Sequence, residues 1–294
     1  MVKRMLKTPK AHIIAEIGSN CFKYHSADQN FKMALMQIDS AREAGATAVK
    51  FQMFTSEELW GPECKDKVFA KLQNRFALPP HWLHDLKVRC RKSGMDFLCS
   101  GFSIQGFRNI SPYVQTHKLA SPEATSKPLV EFLMDQPKPV IASLGCMRQS
   151  IITPFLESLR PGKDIILECV SEYPASEYQY DLVKMVQYHR HYDFPWGISD
   201  HTKGNTLAKY ARSMGAEYFE KHVDFYMGIG RDTPDSGVSV NAQQFADYVK
   251  SIQSVRKIDY DVGKKLSNKL YSHRKENCGY EAVWHRPEPE YGGE

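Results

Sequence analysis

Apolar and polar residues alternate along the chain with two periods, one typical of strands and one typical of helices. The first strand-like run is His12–Gly18, and the segment from Asp28 to Gly45 then carries apolar residues at helical spacing. Further strand-like runs are Ala48–Met53, Asp96–Ser100, Thr116–Ala120, Pro139–Ser143, Asp164–Val170 and two runs that end at His201 and at Val223. Further helical segments are predicted at Pro79–Gly94, Leu182–Tyr188, Leu207–Gly215 and Asn241–Val255.

Strict alternation of strands and helices over this length is typical of an α/β fold of the (β/α)8 TIM barrel type. A doubly wound open sheet is the alternative, and it would carry a G-x-G-x-x-G turn after the first strand. The residues there are Gly18-Ser19-Asn20-Cys21, which do not fit that turn. We therefore predict a catalytic barrel domain over residues 1–255, whereas residues 256–294 lose the periodicity and are expected to form a short irregular tail.

The composition narrows the range of functions without identifying one. A length of 294 residues allows a large buried core without disulfides. The net charge of +5 is mild and scattered, which favours small anionic substrates over nucleic acid. No apolar run reaches the length of a membrane span, so no membrane contact is expected. The 7 cysteines form no C-x-x-C pair and are odd in number, which indicates reduced thiols and a cytoplasmic location.

The stretch from Pro195 to Asp224 is predicted to form a strand, a helix and a second strand. The two strands of such a unit are parallel, so their C-terminal ends lie on one edge of the sheet. His201 and His222 end these strands and are therefore expected to lie side by side. Two imidazoles at one edge can hold a divalent metal, whereas a single buried histidine is more often structural. From these residues alone, both interpretations stay open.

Polar residues at the strand ends are the candidates for chemistry, because the active site of a barrel lies at that rim. They are Glu16, Lys50, Gln52, Lys118, Ser121, Glu123, Ser143, Ser171, Tyr173, Ser199, Asp200, His201, Glu220 and His222. Lysine is rarely buried unless paired, so Lys50 and Lys118 form either structural ion pairs or a site for a phosphate or carboxylate. Their convergence with serine hydroxyls favours the anion site. No Walker loop, Ser-His-Asp spacing or H-E-x-x-H motif supports nucleotide hydrolysis or triad chemistry.

These residues lie in segments that resemble the N-acetylneuraminate (sialic acid) synthase family, which includes legionaminate and pseudaminate synthases. The matching segments are Ile14-Ala15-Glu16-Ile17-Gly18-Ser19-Asn20, Ala44-Gly45-Ala46-Thr47-Ala48-Val49-Lys50-Phe51-Gln52, Lys118-Leu119-Ala120-Ser121-Pro122-Glu123, Lys127-Pro128, Cys169-Val170-Ser171-Glu172-Tyr173-Pro174, Gly197-Ile198-Ser199-Asp200-His201-Thr202 and Glu220-Lys221-His222. Their ordered recurrence over about residues 12–255 is more specific than any one of these motifs.

The resemblance implies an enzyme that condenses phosphoenolpyruvate with an N-acetylated amino-sugar aldehyde to form a nonulosonic acid. It also implies a divalent metal, typically Mn²⁺ with Mg²⁺ and Co²⁺ as alternatives, held by His201 and His222. The residues that would hold phosphoenolpyruvate are Lys50, Lys118, Ser121, Ser143, Ser171 and Ser199. Those that would face the sugar are Gln52, Glu123, Tyr173 and Asp235. Glu16 would assist water or proton steps, and the residues expected to be catalytic are Glu16, Lys50, Lys118, Tyr173 and Asp235.

The chain departs from the family pattern at several positions. Cys21 replaces a usual histidine, Leu144 replaces a threonine, and a Thr-Pro pair is missing near Gly101. Glu168 also stands at a histidine position and is expected to bring negative charge to the rim near the metal. The family carries a C-terminal antifreeze-like domain that covers the partner's sugar site in a dimer, and residues 256–294 show no match to it. The sugar pocket is therefore expected to be open or to be closed by something else, with a homodimer or a separate lid-supplying protein as the alternatives.

Two other functions stay open at this point. One is a related phosphoenolpyruvate-dependent 3-deoxy-sugar acid synthase that uses another aldehyde, such as a phosphorylated pentose. The other is a non-catalytic or partner-dependent barrel subunit that keeps the metal and anion sites. Retention of Glu16, Lys50, Lys118, His201 and His222 favours an enzyme. Because both metal ligands must be neutral to bind, metal affinity is expected to fall as the pH drops through the imidazole pKa, near 6.5 when unperturbed.

Overall fold

Eight parallel strands close into one barrel, with neighbours in chain order and β8 paired to β1. The computed structural model describes residues 10–60 and 74–255. The strands β1 to β8 are His12–Glu16, Ala48–Met53, Asp96–Gly101, His117–Leu119, Val140–Ser143, Ile165–Cys169, Trp196–Asp200 and Tyr218–His222. The predicted (β/α)8 barrel is therefore confirmed, and the open doubly wound sheet is excluded.

Helices follow the strands on the outside of the barrel. In the described residues the α-helices, numbered α1 to α9 here, are Ala27–Glu43, Ser56–Trp60, Leu83–Lys92, Ile104–Ile110, Lys127–Met134, Gln149–Ser158, Leu182–Tyr192, Thr206–Ser213 and Ala242–Ser254. Asn241 caps α9 as predicted, because its side chain accepts from the Gln244 backbone N–H at 2.9 Å. The tail expected at 256–294 lies outside the described residues.

An apolar layer fills the lower half of the barrel interior. Its side chains come from alternate strand positions, which point to one face of a sheet, and they are Ile14, Ala48, Leu98, Ile141, Ile165 and Leu167. The next inward positions along the same strands are polar, with Glu16, Lys50 and Ser100 above Ile14, Ala48 and Leu98. A buried polar layer therefore lies on an apolar floor, at the rim where barrel enzymes carry their sites.

The outer face of β7 and β8 carries a buried ion pair. The Lys221 Nζ lies 3.1 Å from the Asp200 Oδ1, and these residues are register partners on the two strands. Thr202 also donates to the Asp200 Oδ1, through its backbone N–H at 2.8 Å and its hydroxyl at 2.7 Å. The prediction that Asp200 is a rim residue was wrong, since strand alternation turns it away from Ser199 and His201. Asp200 and Lys221 instead join the two strands that carry the histidines.

The described cysteines are all free thiols, in agreement with the expectation from their number and spacing. They are Cys21, Cys90, Cys99, Cys146 and Cys169. Burial raises the pKa of the Cys90 and Cys169 thiols to about 12, so these thiols stay protonated and unreactive at neutral pH. None of the helices in residues 10–60 and 74–255 combines the length and the hydropathy that crossing a bilayer requires.

Candidate active site

Four buried charged side chains, one each from β1, β2, β4 and β8, form the floor of the candidate site. The Lys50 Nζ lies 2.8 Å from the Glu16 Oε2 and 3.7 Å from the Glu220 Oε2. The Lys118 Nζ lies 3.8 Å from the Glu220 Oε1, so Glu220 stands between the two lysines. Each of these side chains is at most 4% exposed. Two positive and two negative groups therefore share one water-poor pocket and balance each other.

Burial and the neighbouring charges act in opposite directions on these groups. Burial disfavours the Glu220 carboxylate, but attraction from Lys118 and Lys50 outweighs it and lowers the pKa of Glu220 to about 2. For Glu16, burial prevails over Lys50 and the pKa is raised. Burial also prevails for Lys118 and lowers its pKa, whereas Glu16 and Glu220 together outweigh burial and raise the pKa of Lys50. Glu16 is therefore the carboxyl group in this pocket that is best suited to take up and release a proton.

Hydroxyl groups surround the lysines on the side of β4 to β6. The Lys118 ammonium donates to the Ser143 Oγ at 2.9 Å. The hydroxyls of Ser121 and Ser171 lie 3.0 Å apart, and the Cys146 Sγ lies 3.3 Å and 3.0 Å from them. Ser143 thus lies beside Lys118, and the other three small donors cluster just past the ends of β4, β5 and β6. Such donors suit the oxygens of a phosphate or carboxylate.

His201 has one ring nitrogen committed and one available. Its Nδ1 lies 2.6 Å from the Val170 carbonyl oxygen, which only accepts, so the proton is on Nδ1 and the Nε2 carries the lone pair. The Ser199 Oγ lies 3.4 Å from that Nε2, but the serine proton is donated to the Glu220 Oε1 at 2.9 Å. The lone pair of the His201 Nε2 is therefore free to bind a ligand. A carbonyl behind the ring is the usual support of a metal-binding histidine.

His222 lies beside His201, as the strand–helix–strand prediction required. The two ring centroids are 5.4 Å apart. The His222 Nδ1 is buried and has no hydrogen-bond partner within the described residues, and the Asp235 Oδ1 lies 3.5 Å from it. Two imidazole nitrogens therefore fit a borderline divalent cation. Within residues 10–60 and 74–255 no group of three or more His, Cys, Asp or Glu is placed to hold a metal, so further ligands would be water or substrate oxygens.

The pKa of His201 is far from that of a free imidazole. Burial, followed by the neighbouring His222, lowers it to about 3. His201 therefore remains neutral and able to bind a cation well below pH 6.5. The expectation that metal affinity falls near pH 6.5 stays a prediction, and protonation of His201 would contribute to that fall only at lower pH.

Tyr173 and Asp235 form the upper wall of the pocket above the histidines. The Tyr173 ring stacks on His201 with centroids 4.2 Å apart, while 55% of the residue is exposed. The Asp235 Oδ2 accepts from the Ser19 backbone N–H and from the Ser19 hydroxyl, each at 2.7 Å. On the floor, the Gln52 Nε2 donates to the Glu16 Oε1 at 2.7 Å. These polar groups therefore border the buried charges on the side of the histidines and on the floor.

Gly18 allows the loop that carries Asp235 to approach the site. Its φ is +49°, and a Cβ there would clash with the Asp235 Oδ2 and lie 2.9 Å from the Glu16 Oε1. We expect Gly18→Ala to displace Asp235 and to lower turnover about tenfold, and to cost about 1–2 kcal/mol of stability for the left-handed backbone. Gly94→Ala is the matched control, because Gly94 has a φ of +68° with nothing within 4 Å of the added Cβ. Equal turnover in the two variants would contradict this role.

The structure brings most of the predicted site residues into one pocket. Glu123 lies half-buried in a short 3₁₀ helix, Glu123–Thr125, and its place among the sugar-facing residues stays a prediction. Glu168 does not bring its charge to the metal site as expected, because it points outward from β6 and accepts from the Asp181 N–H at 2.9 Å. The role of Glu220 was missed. Its position two residues before His222 on one strand, hence on the same face, was the signal.

Residues outside the predicted set support the site. Asn20 donates to the Val223 carbonyl at 2.8 Å and to the Ser239 Oγ at 2.7 Å, which ties the loop after β8 to the end of β1. The Tyr180 hydroxyl accepts from the His201 N–H at 2.9 Å and donates to the Ser199 carbonyl at 3.1 Å. These contacts join distant parts of the chain, so spacing along the sequence gave no sign of them.

Comparisons with known proteins agree with this architecture. Residues 37–264 match the model of the NeuB family. A pseudaminic acid synthase of Helicobacter pylori is 29% identical over 268 residues, which cover 85% of this chain and 75% of that protein. An N,N'-diacetyllegionaminic acid synthase of Legionella pneumophila is 28% identical over 267 residues, covering 84% of this chain and 72% of that protein.

A solved structure matches over nearly its whole length. The N-acetylneuraminic acid (sialic acid) synthetase of Leptospira borgpetersenii, crystallised with citrate, superposes with a TM-score of 0.74 at 26% identity. The match covers 93% of this chain and 94% of that one. The family match contains β2 to β8, including Lys50, Lys118, His201 and His222. The chain belongs to the NeuB family.

Proposed function

We propose that this chain is a metal-dependent synthase that condenses phosphoenolpyruvate with an N-acetylated amino-sugar aldehyde to form a nonulosonic acid. Family membership identifies it as a condensing synthase, and its relatives are named for sialic, pseudaminic and legionaminic acids. The observation that carries the proposal is the buried layer in which Lys50, Lys118 and their hydroxyl neighbours lie below the His201–His222 pair.

The charge balance of the pocket supports metal dependence. Lys50 and Lys118 are already neutralised by Glu16 and Glu220, so they alone cannot balance a highly charged phosphoenolpyruvate anion. A buried charge without compensation is costly, because burial removes its hydration. Binding such a substrate therefore requires added positive charge. In this site, the pair of available nitrogens on His201 and His222 is the place where a cation would supply that charge.

The chain's own residues divide into an anion side and an aldehyde side. Lys118 and Ser143, with Ser121 and Ser171, would hold and orient the phosphate and carboxylate oxygens. Tyr173 and Asp235 face the more open part of the pocket, Gln52 lies beside Glu16 on its floor, and the three would position the amino-sugar. Glu16, with its raised pKa, would take up or deliver a proton.

His201 and His222 are the residues that would hold the divalent cation, with Mn²⁺ the first choice and Mg²⁺ or Co²⁺ as alternatives. Bound there, the cation would supply Lewis-acid polarisation of the aldehyde oxygen. Tyr173 stacks on one histidine and meets the other edge-on at 5.7 Å, so it fixes the rings and restricts water on one side.

Lys118→Ala is expected to weaken phosphoenolpyruvate binding about 10- to 100-fold. A hydrogen bond to a charged donor contributes roughly 1.5–3 kcal/mol, and a factor of ten in affinity corresponds to about 1.4 kcal/mol. Calorimetric titration with phosphoenolpyruvate measures the change. Lys203→Ala removes an exposed charge from the loop after β7 and is the matched control. Unchanged affinity in Lys118→Ala would remove this lysine from the anion site.

The reaction itself is tested by phosphate release from phosphoenolpyruvate in the presence of an aldehyde panel. The panel contains N-acetylmannosamine, the diacetylated amino-sugars that lead to legionaminic and pseudaminic acids, and phosphorylated pentoses. We expect release with an N-acetylated amino-sugar and Mn²⁺, and none without an aldehyde. Release with a phosphorylated pentose alone would favour the other 3-deoxy-sugar acid synthases. Release with no aldehyde on the panel would contradict the proposal.

A further inference from the structure

A second cavity lies on the outer side of the barrel, away from the rim. It has a volume of about 270 Å³ and lies between α4 and α5, against the start of β4. His117, the first residue of β4, forms part of its wall, whereas the rim begins beyond Leu119 at the other end of that strand. The volume is slightly below that of pockets for drug-sized ligands, so it suits a smaller molecule.

The polar part of this cavity is positively charged. Arg108 and Lys138 line it, and its wall contains no Asp or Glu. Arg108 is exposed and, in the part of the chain that the structure describes, its guanidinium forms no ion pair. The Lys138 ammonium is half-buried and donates to the Ser111 carbonyl, to the Val114 carbonyl at 2.8 Å and to the Ser111 Oγ at 3.5 Å, so it offers charge but no free N–H. Burial and the nearby Lys87 lower its pKa. Uncompensated cations at a concave surface attract an anion.

The apolar part of the cavity consists of aromatic rings. Phe107 and Phe132 line it, and the Arg108 guanidinium lies 5.5 Å from the centroid of the Phe132 ring. Phe107 meets the His117 ring edge-on, with centroids 5.5 Å apart. Phe107 is fully buried, so the Phe132 ring is the flat wall that a ligand can reach. Such a ring favours a flat apolar ligand, because aromatic contacts add to the burial of area.

His117 is the unusual member of the wall. It is fully buried, and neither ring nitrogen has a hydrogen-bond partner within residues 10–60 and 74–255. Burial, with Lys138 and Arg160 nearby, lowers its pKa to about 4, so the ring is neutral at pH 7. A buried polar group without a partner is costly to the fold. A phenylalanine would have a similar shape at this position. The imidazole differs from it in placing one hydrogen-bond donor and one acceptor next to the cavity.

We propose that this cavity is a second binding site, which takes a small organic anion with a flat apolar body. The acidic group would be held at the mouth by Arg108, with the Lys138 charge nearby, and the apolar body would lie against the Phe132 ring, with the Phe107 and His117 rings behind the surface. The site is separate from the rim, so it can be occupied together with the substrates. The proposal does not depend on which aldehyde the enzyme uses.

The test is a calorimetric titration of the full chain with benzoate, in the presence of saturating phosphoenolpyruvate so that the rim is blocked. We expect saturable binding that Arg108→Ala weakens about tenfold or more and that Arg108→Glu removes. Arg108 is exposed, so both variants are expected to fold, which circular dichroism checks. Arg91→Ala, which removes an exposed arginine from α3, is the matched control and leaves affinity unchanged. Benzamide, the neutral molecule of similar shape, binds at least tenfold more weakly.

Four results would overturn the proposal. They are no saturable binding of benzoate, equal binding of benzoate and benzamide, full affinity in Arg108→Ala, and loss of benzoate binding when phosphoenolpyruvate is added. The last result would place benzoate at the rim. If phosphoenolpyruvate itself fails to bind, the proposed function fails, but the dependence of benzoate binding on Arg108 still decides the second site.

Discussion

Replacing either His201 or His222 with alanine is expected to abolish metal-dependent turnover while leaving the barrel folded. The His201 Nε2 lone pair and the buried His222 Nδ1 are the nitrogens that the structure leaves available at the rim. Lewis-acid stabilisation of a transition state is worth several kcal/mol, and each 1.36 kcal/mol is tenfold in rate. We therefore expect a loss of about a thousandfold or more, together with loss of bound Mn²⁺.

The measurements are metal content, turnover and circular dichroism of each variant. His84→Ala, which removes an exposed histidine from α3, is the matched control and is expected to behave as the wild type. Full activity in either rim variant would contradict the assignment. Wild-type turnover that survives exhaustive chelation would contradict it as well.

Lys221→Met is expected to destabilise the fold by about 3–5 kcal/mol, because it leaves the Asp200 carboxylate buried without its counter-charge. Lys221 is 1% exposed and Asp200 is not exposed at all, so water cannot compensate the loss. The pair joins β7 to β8 directly behind His201 and His222. The same variant is therefore expected to weaken metal binding, although neither residue faces the site.

Urea unfolding of the variant measures the loss of stability. Lys209→Met, at an exposed position of α8, is the matched control and is expected to change stability little. The double variant Asp200→Leu/Lys221→Met removes both charges and should regain most of the lost stability. A single variant as stable as the wild type would show that the Asp200–Lys221 pair does not hold these strands together.

The barrel was predictable from the sequence because its strands and helices follow simple periods. The run Ala48–Met53 forms β2 with the predicted limits, and Asn241 caps α9 as its residue type indicates. Other strands are shorter than their apolar runs, as in β4, where Thr116 and Ala120 lie outside the ladder. Strand ends depend on the pairing of neighbouring strands, which a single apolar run does not reveal.

The position of the site was predictable from the sequence, whereas most contacts between its side chains were not. Parallel strands brought His201 and His222 together as topology requires. The sequence did not reveal that Glu220 lies between Lys50 and Lys118, since that contact joins three strands. Strand alternation also separates residues that are adjacent in a motif. Within Ser199-Asp200-His201 the outer two residues face the site and the middle one stabilises the fold.

The most direct test of the central claim follows the carbons of phosphoenolpyruvate into the product. The enzyme is incubated with Mn²⁺, N-acetylated amino-sugar aldehydes and phosphoenolpyruvate labelled with ¹³C at all carbons, and the products are analysed by mass spectrometry. Condensation predicts a nonulosonic acid that contains all three labelled carbons, formed in step with phosphate release. Phosphate release that leaves every label in pyruvate would contradict the account, because the chain would then hydrolyse phosphoenolpyruvate without joining it to an aldehyde.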